Sequence, residues 1–179
     1  MTPPAEGRVP AALFEGLFIR ALKADEAFII ELRKAGFDSA QIQKDYSAPV
    51  WIHCVRLAER RYYPALTAAE AQWQLGRRLV QGMLQTALGR LLAAAIPMLG
   101  PKLYLRRFPL HVKGTYPLLE VTPVQLSDTT FRMECRNDPQ TLPPFVAGVL
   151  EESMVLARVK AQVELAILAP GEFDITLRW

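Results

Sequence analysis

The chain has 179 residues, 51% of them hydrophobic, and its 21 lysines and arginines against 18 aspartates and glutamates leave a net charge of +3. That length suits one domain with a single sizeable core, and so apolar a composition excludes a disordered chain. So small a basic excess, even at a sequence pI near 9.0, does not call for nucleic acid, and no such partner is predicted.

Residues 1–11 are proline-rich and polar and read as a flexible lead-in to one domain over 12–179. They lack the basic flank and apolar core of a signal peptide. The longest greasy run, Leu91 to Leu99, is about half of a bilayer span and contains Pro97, so no transmembrane segment is predicted. Cys54 and Cys135 lie far apart in helix-like and strand-like contexts, and free thiols are predicted. Together these features favour a protein of the reducing cytoplasm.

Leu13-Phe14-Glu15-Gly16-Leu17-Phe18-Ile19 is short, apolar and aromatic and reads as a bulged strand or as the first turn of a helix, the strand being the preferred prediction. Ala24 to Ala35 is helical by period, with Gly36 as its C-terminal cap, and Asp38 is predicted to cap a short helix over 39–44. Pro49 opens a longer helix that Pro64 ends. Thr67-Ala68-Ala69-Glu70 is a capping box, in which the threonine hydroxyl and the glutamate carboxylate each satisfy a free N–H of the other residue. The helix it opens is predicted to reach about Leu88 and to continue, kinked, towards Ile96. On it Gly82, Thr86, Gly89 and Ala93 would share one face, a groove for a second backbone or for a ligand.

Lys102 to Phe108 reads as one more short helix. The period then changes to two: Leu119 and Val121, then Phe131, Met133 and Cys135, alternate with polar residues across the turn at Ser127-Asp128. A helix over 144–157 follows. Two further strands put Val163, Leu165 and Ile167, and Phe173, Ile175 and Leu177, on the inner face. Ala169-Pro170-Gly171-Glu172 joins them as a type II turn. The predicted fold is α+β: an N-terminal helical layer packed on a four-stranded antiparallel sheet, whose C-terminal part runs hairpin, helix, hairpin.

Motifs for chemistry are missing. His53 and His111 stand far apart, with no CxxC, HExxH or Asp-rich loop, so no metal is predicted. His53 could serve as a lone haem ligand, but such a histidine is more often half-buried and bonded to a carbonyl, so no cofactor is predicted. No GxSxG or glycine-rich phosphate loop is present, and the adjacent Glu151-Glu152 diverge on a helix, so the chain does not read as an enzyme. Arg56/Arg60/Arg61, Arg77/Arg78 and Lys102/Arg106/Arg107 read first as solvated faces or local ion pairs, and second as contacts for an anion.

Several short segments resemble a family known as a domain of unknown function from myxobacteria. They are Phe14-Glu15-Gly16-Leu17-Phe18, Leu32 to Asp38, Tyr63-Pro64, Leu75-Gly76-Arg77-Arg78 with Gly82, Leu99-Gly100-Pro101, Phe145 to Glu151 and Arg178-Trp179. That likeness spans nearly the whole chain and implies no activity. Phe145 to Gly148 and Gly171-Glu172-Phe173 also resemble a superfamily of haem nitric-oxide sensors, 4-vinyl-reductase-type sensors and vesicle-tethering transport-particle subunits. The Tyr-x-Ser-x-Arg of the haem sensors is missing, as is the cysteine near the last hairpin of the vinyl-reductase type, so the likeness implies the fold and not the haem.

A non-catalytic ligand-binding or sensor module is therefore predicted, with an apolar pocket for a lipid-like or small hydrophobic ligand. Trp73, Met83 and Leu84 would form one wall, Trp51 and Cys54 another, and Arg77 and Arg78 would meet an anion. The alternative is a dimeric adaptor whose apolar excess forms an interface.

Overall fold

The computed structural model describes residues 7–116, 118–138 and 140–179, with side chains at all of these except 87, 88 and 92. Residues 1–6 of the expected lead-in lie outside the described residues. The rest of that lead-in is structured. Strand β1 (Arg8–Pro10) pairs antiparallel with β2 (Asp45–Ser47), Val9 opposite Tyr46, and Val9 is fully buried.

Leu13–Ile19 is helical, contrary to the strand prediction: α1 (Ala11–Phe14) runs directly into a π-helical segment, Glu15–Ala21. Phe14, Leu17 and Phe18 are all fully buried, and that three-and-four spacing belongs to a helix, since a strand would turn Phe18 away from Leu17. Helix α2 (Glu26–Lys34) starts at Asp25, whose carboxylate accepts from the Phe28 N–H at 2.9 Å. The short helix expected over 39–44 does not form. Asp38 instead accepts from the Ala40 N–H at 2.9 Å in a local turn that leads into β2.

Helix α3 (Ala48–Tyr62) carries Pro49 in its first turn, as read from the sequence. Helix α4 (Ala68–Met83) opens on the capping box: the Thr67 N–H donates to Glu70 at 2.9 Å, and the Glu70 N–H donates to the Thr67 hydroxyl at 3.3 Å. It ends at Met83 rather than near Leu88. Thr86 then caps a new helix, α5 (Ala87–Thr115), accepting from the Gly89 N–H at 2.9 Å. The break divides the proposed small-residue stripe, leaving Gly82 on α4 and Gly89 and Ala93 on α5. Gly100, at φ 71° and ψ 168°, interrupts α5, so the helix predicted from Lys102 is its second half and extends to Thr115.

Strands β3 (Glu120–Ser127), β4 (Thr130–Arg136), β5 (Gln162–Ala169) and β6 (Glu172–Arg178) form an antiparallel sheet in the order β3-β4-β6-β5. Gly171 supplies the φ of 80° that the β5–β6 turn requires. Phe131, Met133, Cys135, Phe173, Ile175 and Leu177 are fully buried on the two central strands, as their alternation predicted. Ile167 is not: on the edge strand β5, it is 66% exposed.

Helix α6 (Pro143–Leu156) crosses α4 with almost no side-chain spacing. A Cβ on Gly76 would lie 2.1 Å from the Phe145 carbonyl oxygen, and one on Gly148 would lie 2.0 Å from that of Trp73. A similar contact, 1.8 Å from a Cβ on Gly82 to the Gly16 carbonyl oxygen, seats the π-helical segment on α4. Two apolar cores result. One is aromatic and helical, with the Phe14 ring 4.9 Å from Phe37, 4.7 Å from Tyr46 and 5.0 Å from Trp51. The other lies between the sheet, α6 and the second half of α5. Among the described residues no helix is long and apolar enough to cross a membrane.

Candidate functional site

Helix α5 turns Tyr104, Phe108 and Val112, four apart and so on one face, towards α6. Its opposite side is pinned to the β3–β4 hairpin, where Lys102 donates to Asp128 at 2.7 Å and Arg106 to Gln125 at 2.6 Å. From α6, Phe145, Val146, Val149 and Leu156 face back, and Leu79, Val80 and Met83 of α4 complete the wall. These side chains do not close on one another. They surround a cavity of about 260 Å³, bounded by Trp51 and Ile52 of α3 on one side and Ile96 on the other.

The wall is carbon except for a few groups. Ser153 donates to the Val149 carbonyl at 2.7 Å and so leaves little polarity to the cavity. Tyr104 is buried beside it, and burial pushes its phenol up to about 12. Thr115, Tyr116, Thr141 and an exposed His111 also line the cavity. The Tyr116 hydroxyl is buried with no hydrogen-bond partner among the described residues. Burial, reinforced by the Asp138 carboxylate, raises that phenol well above its ordinary value. Asp138 is itself buried and accepts from the Gln140 N–H at 2.9 Å and from the Thr141 hydroxyl.

Of the residues singled out from the sequence, Trp51, Met83 and Leu84 meet at this cavity. Cys54 and Trp73 do not line it. Cys54 faces the aromatic core, where burial pushes its thiol up to about 12, and the Trp73 indole N–H donates to Glu151 at 2.8 Å. Arg77 is spent on α6, donating to Glu152 at 3.0 Å, and Arg78 donates to Gln81 on its own helix at 3.3 Å. Sequence reasoning missed Phe108, Val112, Val146 and Val149. The four-residue spacing from Tyr104 through Val112 was the available signal, but it does not distinguish a cavity wall from a core.

A second cleft, of about 580 Å³, adjoins the first and shares Ile52, Thr141 and Leu142 with it. Its other walls are His53, Arg56 and Arg60 of α3 with Gln140. Among the described residues no group of three or more histidine, cysteine or acidic side chains could hold a metal ion.

The model of a family described as "Protein of unknown function (DUF2378)" matches residues 8–179. The chain belongs to that family. No curated protein matches it by sequence. Among solved structures, it is similar to an H-NOX protein from S. oneidensis in the Fe(II)NO ligation state, at TM-score 0.73 and 12% identity, over 95% of this chain and 98% of that one. It is also similar to an Fe(II) unliganded H-NOX mutant from K. algicida, at TM-score 0.69 and 11% identity, over 95% and 96% of the two chains. An oxygen-binding H-NOX domain related to soluble guanylate cyclases matches at TM-score 0.65 and 12% identity, over 94% and 90%. At such identities the shared property is the fold.

The H-NOX family carries haem, and the residues here do not fit one. An axial ligand must project from the wall over the ring. The imidazole at this cavity, His111, belongs to an exposed residue and is stacked on Tyr104, ring centroids 6.3 Å apart. The Met83 sulfur is turned against Gly16, where an added Cβ would lie 2.7 Å from it. Arginine and lysine are absent from the cavity wall among the described residues, so propionates would find cations only in the neighbouring cleft.

Proposed function

We propose that this protein is a non-catalytic small-molecule sensor or binding domain that takes an apolar or lipid-like ligand into the cavity between α5, α6 and α4. The observation that carries this is the cavity itself: about 260 Å³ with a wall almost entirely of carbon. Well-packed interiors leave few voids larger than a water molecule, and an engineered apolar cavity of roughly 150 Å³ takes up benzene. A space of this size and chemistry is suited to a hydrocarbon body. The H-NOX-like fold adds support, since two of its solved examples carry small ligands by their own titles.

Native mass spectrometry of the isolated protein tests the proposal together with titration of an uncharged environment-sensitive dye, N-phenyl-1-naphthylamine. The expected result is a co-purifying apolar mass, or saturable dye binding that Val146→Phe weakens at least tenfold by filling the cavity. A clean protein mass with no saturable dye binding would overturn it.

The adaptor alternative has one observation in its favour. The edge strand β5 leaves Ile167 and Leu168 66% and 55% exposed beside an unpaired backbone edge. Light scattering would read a dimer that Ile167→Lys returns to monomer, and a monomer at every concentration would remove that alternative.

A further inference from the structure

Resting on the pocket proposed above, we infer that its ligand is a single-chain amphiphile with an anionic head, held by Arg56 and Arg60 in the cleft that adjoins the cavity. The basic clusters differ in what they already bind. Arg61 Nη2 donates to both carboxylate oxygens of Asp25, at 2.7 and 2.8 Å, and the guanidinium lies over the Phe28 ring at 5.5 Å. Arg77 is paired with Glu152, Lys102 with Asp128 and Arg106 with Gln125. Arg56 and Arg60 form no ion pair among the described residues, and both are exposed.

Their position is fixed by the helix. Ile52, Arg56 and Arg60 recur every four residues, so one face of α3 passes from an apolar side chain in the cavity wall to two guanidinium groups in the cleft. Thr141 and Leu142 also line both spaces. The nearby acids do not cancel the charge. Glu59 is half-buried against Gln72, and burial raises its carboxyl despite the two arginines beside it. Asp138 is buried behind its own donors. Apolar space and free cations thus meet at three shared residues, and a molecule filling both must be apolar at one end and anionic at the other. The guanidinium fork suits a carboxylate or a phosphate alike.

The test compares dodecanoate, dodecyl phosphate and 1-dodecanol below their micelle concentrations, each displacing N-phenyl-1-naphthylamine from the full chain. Both anions should bind at least tenfold more tightly than the alcohol, and 0.5 M salt should narrow the gap. Arg56→Gln with Arg60→Gln should erase the preference while leaving 1-dodecanol binding and the unfolding midpoint unchanged. Preference for one anion over the other identifies the head group as carboxylate or phosphate. Equal binding of alcohol and anions, or a preference that survives the double substitution, overturns the anchor and leaves the pocket standing. Binding of none of the three overturns both.

Discussion

On one side, α6 meets α4 backbone to backbone at Gly148 and Gly76. On the other, the same helix turns Val146 and Val149 into open space opposite Tyr104 and Phe108 of α5. Paired glycines remove the side chains that would hold α4 and α6 apart, whereas α5 is pinned outwards to the β3–β4 hairpin and interrupted at Gly100. The difference shows that this molecule concentrates its tight packing where rigidity positions a wall, and leaves volume where the opposing helix is held from behind. The aromatic core around Phe14 belongs to the tight side, and the cavity to the open one.

The largest expected contrast is between side-chain deletions on the two sides. Phe14→Ala, at a fully buried ring packed against four others, should cost about 3–5 kcal/mol in urea unfolding. Val146→Ala, which only widens an existing space, should cost about 1 kcal/mol. Equal losses would mean that the cavity is not open in solution. Next in size is Gly148→Ala. Its Cβ would stand 2.0 Å from a carbonyl oxygen, and a loss of about 2–3 kcal/mol is expected, with Gly76→Ala, whose Cβ would stand 2.1 Å from the Phe145 carbonyl oxygen, expected to cost a similar amount. A neutral result would show that the α4–α6 crossing is looser than its geometry.

The smallest effect concerns the rim of the tight side. The Phe28 N–H first, and then Arg61, hold the Asp25 carboxyl below its ordinary 3.8. A depressed carboxyl contributes stability above that ordinary value and loses it as pH falls through the lower, folded one. Wild type should therefore lose more of its urea midpoint between pH 5 and pH 3 than Asp25→Asn does. Parallel acid limbs would remove Asp25 from the account.

Local chemistry was legible in the amino-acid order. The Thr67–Glu70 box, the Pro170-Gly171 turn and the alternation on β4 and β6 depend on neighbours within a few residues, and all are where their spacing puts them. Leu13–Ile19 was misread because a segment buried on most sides shows neither period cleanly, and its helix exists to fit against α3 and α4. Ile167 was misread because alternation says which face a residue shares, not whether anything covers it.

The amino-acid order alone determined the α+β class, the two hairpins and the capped helices, since propensity, capping and turn geometry act over short stretches of chain. Tertiary structure alone decided that Trp51, Met83 and Leu84 would share a cavity while Cys54 and Trp73 would not. It also decided that Arg77 would be spent on Glu152 while Arg56 and Arg60 stayed free. Burial and ion pairing depend on which distant surface arrives opposite a side chain, and no local pattern encodes that.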